Sequence, residues 1–326
     1  MKTEILTILS KQDGYVSGQD LCEQLGVSRT AIWKVMKRLK EEGYEIDSIS
    51  NKGYRLLHEP DCVTKEAILS RLQTNYMGKN VFSYEEVTST NTIAKQLAEE
   101  GQPEGSLVVA EKQTQGKGRR GRSWVAKKGS GVFMTIVLKP QIAPTNAAMI
   151  TIVTALALND AIKELTELDS KIKWPNDIVL GKKKVAGILT ELSAEVDYIN
   201  YVVVGIGVNV NTEEFPEELA DKATSIFLEA GKNVNRAKLI ARTMFYLETY
   251  YEQFLKTQDL SLLQEAYTKV LINMDQEVQI LGSEDSFTGV ARGITKAGHL
   301  LVEKPNKEIV EVYAGEVSVR GLYSYT

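Results

Sequence analysis

The segment Gly116-Lys117-Gly118-Arg119-Arg120-Gly121-Arg122 lies between two runs that read as β-strands, and this flanking decides which folds are open to the chain. The spacing Gly116-x-Gly118-x-x-Gly121 satisfies a dinucleotide fingerprint, and Gly116 to Ser123 nearly completes a P-loop with Arg122 where lysine belongs. Both motifs need a strand before the loop and a helix straight after it. The strand is there, Ser106 to Glu111. Beyond Trp124, however, a lysine and glycine segment leads into Val132 to Leu138, which reads as another strand. Neither motif is completed, so an anion bound here is held by the loop and its side chains. Glycine lets backbone approach a ligand closely, and the guanidinium fork suits phosphate and carboxylate oxygens. A solvated basic hairpin, or one touching nucleic acid, is the competing reading of the loop alone.

A chain of 326 residues exceeds one small core, so two or three domains are expected. Its net charge of −4 excludes a generally basic nucleic-acid coat but not a local basic face. Cys22 and Cys62 form no metal or redox spacing and suit a reducing cytoplasm. The charged, amphipathic start is unlike a signal peptide. The longest apolar stretch, Ala147 to Leu158, reads as too short to span a bilayer. His58 and His299 are the only histidines, which argues against a Ser-His-Asp triad or a histidine zinc site.

Three segments follow from the periodicity. In residues 1–60, two short helices precede Ser28, an N-cap candidate. Ile32, Val35, Met36 and Leu39 then give a third helix one apolar face. Its other face carries Arg29, Thr30, Trp33, Lys34, Lys37 and Lys40. Strands at Tyr44 to Ile49 and Tyr54 to Leu57 flank the turn Ser50-Asn51-Lys52-Gly53. This is the pattern of a winged helix-turn-helix. Ser28, Arg29, Thr30, Trp33, Lys34 and Lys37 are placed toward the major groove, and Lys52 on the wing toward phosphate. A solvated helix face is the alternative. Acids elsewhere in the segment balance its charge, so useful affinity calls for a dimer on two half-sites. Residues 64–272 mix strands and helices, with several strands in direct succession, and predict an α+β mixed sheet. From 273 to 326 short strands broken by Gly282, Gly298 and Pro305 predict a small barrel-like β domain.

Within the middle segment, Ser89-Thr90-Asn91 sits where a strand meets a helix, and capping alone explains Ser89 or Thr90. Lys173-Trp174-Pro175-Asn176-Asp177 reads as a rigid turn. Lys184 adjoins an apolar strand in which Ala186 and Gly187 leave room for packing. Val204-Gly205-Ile206-Gly207-Val208-Asn209 ends a buried strand with two glycines, a mark of close approach by ligand or backbone.

Taken in order, Ser-Thr-Asn, the Gly-Lys-Gly-Arg-Arg-Gly-Arg loop with its tryptophan, Lys-Trp-Pro-Asn-Asp, Lys-Val-Ala-Gly-Ile and Gly-Ile-Gly-Val-Asn resemble the biotin protein ligases. With the winged-helix start, the whole chain resembles their bifunctional bacterial form, the biotin operon repressor and ligase. Lys117 departs from the usual Gly-Arg-Gly opening of the loop, keeping the charge but losing the fork. The resemblance implies a central domain of the biotin/lipoate ligase type and a C-terminal SH3-like β-barrel. It implies that biotin and ATP form biotinyl-5'-AMP, with Mg2+, and that biotin passes to a lysine of a biotin carboxyl carrier protein. It also implies an adenylate-bound homodimer that represses biotin genes at operator DNA, in the cytoplasm, with no membrane. By the same resemblance Lys184 and Arg119 are catalytic. Biotin binding falls to Ser89, Thr90, Asn91, Gln113, Lys117, Gly118, Arg119, Lys184, Gly187 and Gly207. Adenylate binding falls to Arg120, Arg122, Trp124, Asn176, Asp177 and Asn209, with Asp177 also placing the metal. Rival readings are a ligand-sensing repressor without catalysis and a lipoate-type ligase of the same fold.

Overall fold

Spacing of apolar residues builds the N-terminal unit. Helices α1 (Lys2–Ser10), α2 (Gly18–Leu25) and α3 (Arg29–Glu41) precede an antiparallel hairpin of β1 (Glu45–Ile49) and β2 (Gly53–His58). The Ser17 hydroxyl accepts from the Gln19 and Asp20 amides, Ser28 accepts from Ala31, and Gly26 closes α2 at φ +65°. Ile5, Leu6, Leu9 and Leu21 pack with Ile32, Val35, Met36 and Leu39 of α3 in a core of their own. The structure, a computed structural model, describes residues 1–122, 124–125, 127–281, 286–313 and 318–321. The side chains of Arg120 and of 318–321 lie outside that description.

The central unit follows as α4 (Lys65–Leu69), β3 (Val81–Val87), α5 (Thr90–Glu99), β4 (Leu107–Gln113) and β5 (Gly131–Leu138). Next come α6 (Met149–Thr166), β6 (Lys171–Lys173), β7 (Asp177–Leu180), β8 (Lys183–Ala194) and β9 (Ile199–Asn209). Helices α7 (Glu217–Ala220), α8 (Ile226–Ala230), α9 (Arg236–Thr257) and α10 (Gln264–Val270) complete it. Seven strands form one sheet in the order β3-β4-β5-β9-β8-β7-β6. β3 runs parallel to β4, joined by the α5 crossover, and the other neighbours are antiparallel. The mixed sheet is thus the one expected.

Period-two alternation decides the position of the site. Val132, Met134 and Ile136 of β5 and Val202, Val204, Ile206 and Val208 of β9 face the large core shared with α6 and α9. Val137 and Val203 face the other way, where α5 supplies Ala94, Leu97 and Ala98. One short helix covers only part of that second face. Beyond it the sheet presents Thr135, Gly187, Gly205 and Gly207.

Two details differ from expectation. The segment Pro144–Thr166 is long and apolar enough to cross a membrane, contrary to the reading of its apolar run as too short. It is 72% buried, so its apolarity is that of a core helix between sheet and α9. In the C-terminal unit, β10 (Glu277–Leu281), β11 (Ser286–Ile294), β12 (Leu300–Glu303) and β13 (Ile309–Val312) are joined by an unanticipated β14 (Ser318–Gly321). These five strands form an antiparallel sheet in the order β13-β12-β11-β10-β14, compatible with the SH3-like expectation. Val278, Ile280, Ala291 and Leu300 belong to the same apolar cluster as the central sheet. This unit therefore braces the central one: Trp174 donates its indole N–H to the Gly298 carbonyl at 3.0 Å and its backbone N–H to Asn273 Oδ1 at 3.2 Å.

Candidate active site

The glycines form a floor. A Cβ on Gly205 would overlap the Asn91 amide, and one on Gly207 would lie 2.7 Å from Trp124 Cε2. No other residue permits this approach to the strands. At the wall, α5 begins with Ser89 as N-cap, but the Ser89 side chain makes no capping bond. Capping therefore does not account for this buried serine. Thr90 donates its backbone N–H to Gln113 Oε1 at 2.8 Å, and its hydroxyl lies 3.1 Å from the same oxygen. Asn91 is buried, with Oδ1 2.7 Å from the Thr135 hydroxyl and Nδ2 2.7 Å from Glu191 Oε2. Lys95 closes on the other Glu191 oxygen at 2.6 Å.

Opposite this wall stands a cationic cluster. The braced turn after Trp174 presents Asn176 and Asp177. Arg119 donates to Asn176 Oδ1 at 2.9 Å, Asn176 Nδ2 donates to Asp177 at 3.1 Å, and Lys184 Nζ lies 2.6 Å from Asp177 Oδ1. Lys184 is also 5.5 Å from the Trp124 ring centre. The flap joining β4 to β5 is folded back on itself: the Trp124 amide donates to the Gly116 carbonyl and the Gly118 amide to the Arg122 carbonyl. Arg119 to Gly121 make one 3-10 turn, and among the described residues the next element is the strand β5, as the sequence implied.

The cavity between wall and cluster is lined by Ser89, Thr90, Asn91, Gln113, Lys117, Gly118, Arg119, Trp124, Asn176, Lys184, Gly187 and Gly207. Twelve residues singled out from the sequence thus meet in one place. Arg122 is exposed and does not line it; Asp177 meets it through Lys184. Asn209 donates to the Thr224 carbonyl at 3.1 Å and is likewise not in the lining. The Arg120 side chain lies outside the described residues. Trp124 rests on Gly187 and Gly207, the two glycines expected to clear space for ligand, with a buried indole N–H that has no partner among the described residues. The cavity is about 50 Å3, room for a few waters.

Thr135, Glu191, Lys95 and Gly205 escaped the sequence reading as site residues. Gly205 carried a signal, two residues from Gly207 in the same strand. Thr135 did too: it is a fully buried polar residue in an otherwise apolar strand. In the N-terminal unit Ser28, Arg29, Thr30, Trp33, Lys34 and Lys37 are exposed along α3, and Lys52 is exposed at the hairpin tip. Trp33 is 55% exposed, unusual for an indole with no ligand to meet.

Three segments match family models: residues 2–55 an HTH domain, residues 83–209 the biotin/lipoate A/B protein ligase family, and residues 274–320 the biotin protein ligase C-terminal domain. Over 324 residues the chain is 36% identical to the bifunctional ligase/repressor BirA of Bacillus subtilis (strain 168), spanning 98% of each chain. It is 28% identical over 305 residues to BirA of Escherichia coli (strain K12), spanning 93% of this chain and 92% of that one. The solved structure of the biotin protein ligase from Aquifex aeolicus in complex with biotin and ATP aligns with a TM-score of 0.66. Identity there is 31%, over 74% of this chain and 99% of that one.

Proposed function

The chain belongs to the family of bifunctional biotin ligases and repressors, and from that premise we propose a two-step reaction for it: biotin and ATP give biotinyl-5'-AMP, and the biotinyl group then passes to a lysine of a carrier protein. The observation that carries this reading is the meeting of the Arg119–Asn176–Asp177–Lys184 cluster with a polar wall across a glycine floor.

In the first step the biotin carboxylate oxygen bonds to the α-phosphorus and pyrophosphate leaves. Both reactants are anions. Two unit charges about 4 Å apart repel by ~4 kcal/mol at an effective dielectric near 20. Lys184 and Arg119 offset that repulsion from fixed positions, and no proton moves, so no histidine is needed. In the second step the neutral acceptor amine attacks the carbonyl of the mixed anhydride, AMP leaves with the bonding pair, and the proton lost by the nitrogen goes to solvent. The flap, closed over the anhydride, keeps water from competing. Ser89, Thr90 and Gln113 hold the ureido head, with Lys117 and Gly118 near the carboxylate. Trp124, once off the glycine floor, is free to stack on the purine. Asn209 and Arg122 join only if their segments move toward the cavity.

Magnesium fits as a companion of the nucleotide. Among the described residues no group of three or more His, Cys, Asp and Glu side chains could hold a metal. Asp177 offers one carboxylate beside the cluster, the amount Mg2+ commonly takes from protein when phosphates supply the rest. Its chemistry is neutralisation of phosphate charge.

Repression follows by linkage: an adenylate that orders loops at a dimer interface favours the dimer by as much as the dimer favours it. The dimer then sets two α3 helices on a palindromic operator in the cytoplasm. Sedimentation with and without biotin and ATP tests this arm, and an unchanged mass defeats it. The ligase reading is tested by supplying biotin, ATP, magnesium and an unmodified carrier domain. Pyrophosphate release with biotin on one carrier lysine is expected. Absence of pyrophosphate ends the reading.

A further inference from the structure

Glu191 lies on β8 outside the cavity lining, yet it stands at one end of a hydrogen-bond chain that reaches the cavity. An ionised carboxylate only accepts. The 2.7 Å contact with Asn91 therefore takes an Nδ2 proton, which fixes the Asn91 amide with Oδ1 toward Thr135. Thr135 has a single hydroxyl proton, and Oδ1 takes it at 2.7 Å. The 2.8 Å contact between the Thr135 and Thr90 hydroxyls must then be served by the Thr90 proton, unless that proton goes to Gln113 Oε1 at 3.1 Å. Either way the Thr90 proton stays inside the protein, and Thr90 Oγ1 meets the cavity as an acceptor. Gln113 Oε1 is already held by the Thr90 amide, so its Nε2 is left to donate. Burial works to raise the Glu191 carboxyl. Hydrogen bonds from Asn91 and Lys95 and the charges of Lys95 and Lys117 outweigh it and hold the group below its ordinary 4.5. The carboxylate form is thus the one present at neutral pH.

We propose that Glu191 is a positioning residue that sets the hydrogen-bond polarity of the site through Asn91 and Thr135, so that Thr90 selects a ligand bearing an N–H beside a carbonyl. The proposal rests on the biotin reading, since a ureido ring carries that pair. A glutamine at 191 can turn its own N–H to Asn91. The Asn91 amide then flips and Thr135 is released to donate to Thr90; the Thr90 proton loses Thr135 as an acceptor and opposes the ligand N–H unless Gln113 Oε1 takes it.

The test is steady-state pyrophosphate release by the full chain, varying biotin and ATP in turn. For Glu191→Gln the KM for biotin should rise about tenfold, the scale of one buried hydrogen bond set wrong. The kcat and the KM for ATP should stay within about twofold. The discriminating ligands are two cyclic carbamate analogues of biotin, in which one or the other ring N–H is replaced by oxygen. One of them has no proton to give Thr90 and should show no loss on the substitution. Thr135→Val, nearly isosteric, breaks the chain at its middle and should give the same split if the first variant folds poorly. An unchanged biotin KM in both variants overturns the proposal. So does an equal loss for biotin, both analogues and ATP, which marks a merely structural role. A wild-type protein that releases no pyrophosphate sinks the ligase reading instead.

Discussion

Arg236 offers the sharpest test of how the linker after the N-terminal unit is held to the central sheet. Its side chain is 1% exposed and binds the linker and both roots of the flap. Nε meets Asp61 Oδ2 at 2.8 Å, one terminal nitrogen meets Glu111 Oε2 at 2.7 Å and the Gly131 carbonyl at 3.2 Å, and the other meets the Asp61 carbonyl at 2.8 Å. Burial works against the guanidinium charge, but Glu111 and Asp61 outweigh it and raise the group above its ordinary value. Arg236→Met keeps most of the apolar stem and removes the charge. Glu111, 8% exposed, is left with the Val63 amide at 3.0 Å. Breaking a buried pair from one side costs about 3–5 kcal/mol. Asp61 is one-third exposed and partly screened, so the lower end, about 3 kcal/mol, is expected.

The assay is urea unfolding followed by the emission of Trp174, 2% exposed, with Trp33 and Trp124 replaced by phenylalanine so that the probe reports the central core. Adding Glu111→Gln to Arg236→Met removes the stranded charge and should recover at least half of the loss. The pairwise coupling then measures the clamp. A single-variant loss below about 1 kcal/mol, or a double variant as unstable as the summed singles, refutes the reasoning.

Three other variants probe chemistry and DNA contact. Lys184→Ala should lower adenylation about 10²–10³-fold, the usual effect of removing one such donor; near-normal turnover would take Lys184 out of the mechanism. Arg119→Gly loses the bond to Asn176 that ties the flap to the Trp174 turn, and should release the anhydride to label lysines indiscriminately. Mass spectrometry of a mixed-protein reaction reads this, and unchanged carrier specificity would count against a sequestering flap. Lys52→Ala, in a dimer with two wings, should flatten the slope of log affinity against log salt by about 2, one phosphate contact per wing. An unaltered slope places Lys52 off the DNA.

Local patterns were readable because their causes are local. The α3 periodicity, the Ser28 cap and the strands flanking the flap depend on neighbours a few residues apart, and they stand where the spacing placed them. The glycines of β9 were readable as points of close approach, but not what approaches them. For Gly205 it is Asn91, more than a hundred positions earlier. Glu191 looked like an ordinary strand glutamate because its partners, Asn91 and Lys95, are about as remote in sequence. The brace of Trp174 by Asn273 and Gly298 was hidden for the same reason. Long-range polar pairing leaves no periodic trace in a single sequence.

Those remote pairs share a geometry that bears on regulation. Glu111 of the clamp and Gln113 of the wall are two residues apart on β4, and Gly131 opens β5 where the flap ends. Asp61, the other anion of the clamp, lies three residues beyond His58, the last residue of the wing strand β2. The flap roots and the linker to the DNA-binding unit thus meet at one residue, Arg236. Interdomain segments are usually loose; this one is tied by a buried cation to the strands that carry the flap. Arg236 is therefore the joint at which a link between binding at the glycine floor and the pose of α3 is to be tested. An Arg236→Met protein that still binds biotin and ATP but no longer shifts its operator affinity on adding them would isolate that joint from the chemistry.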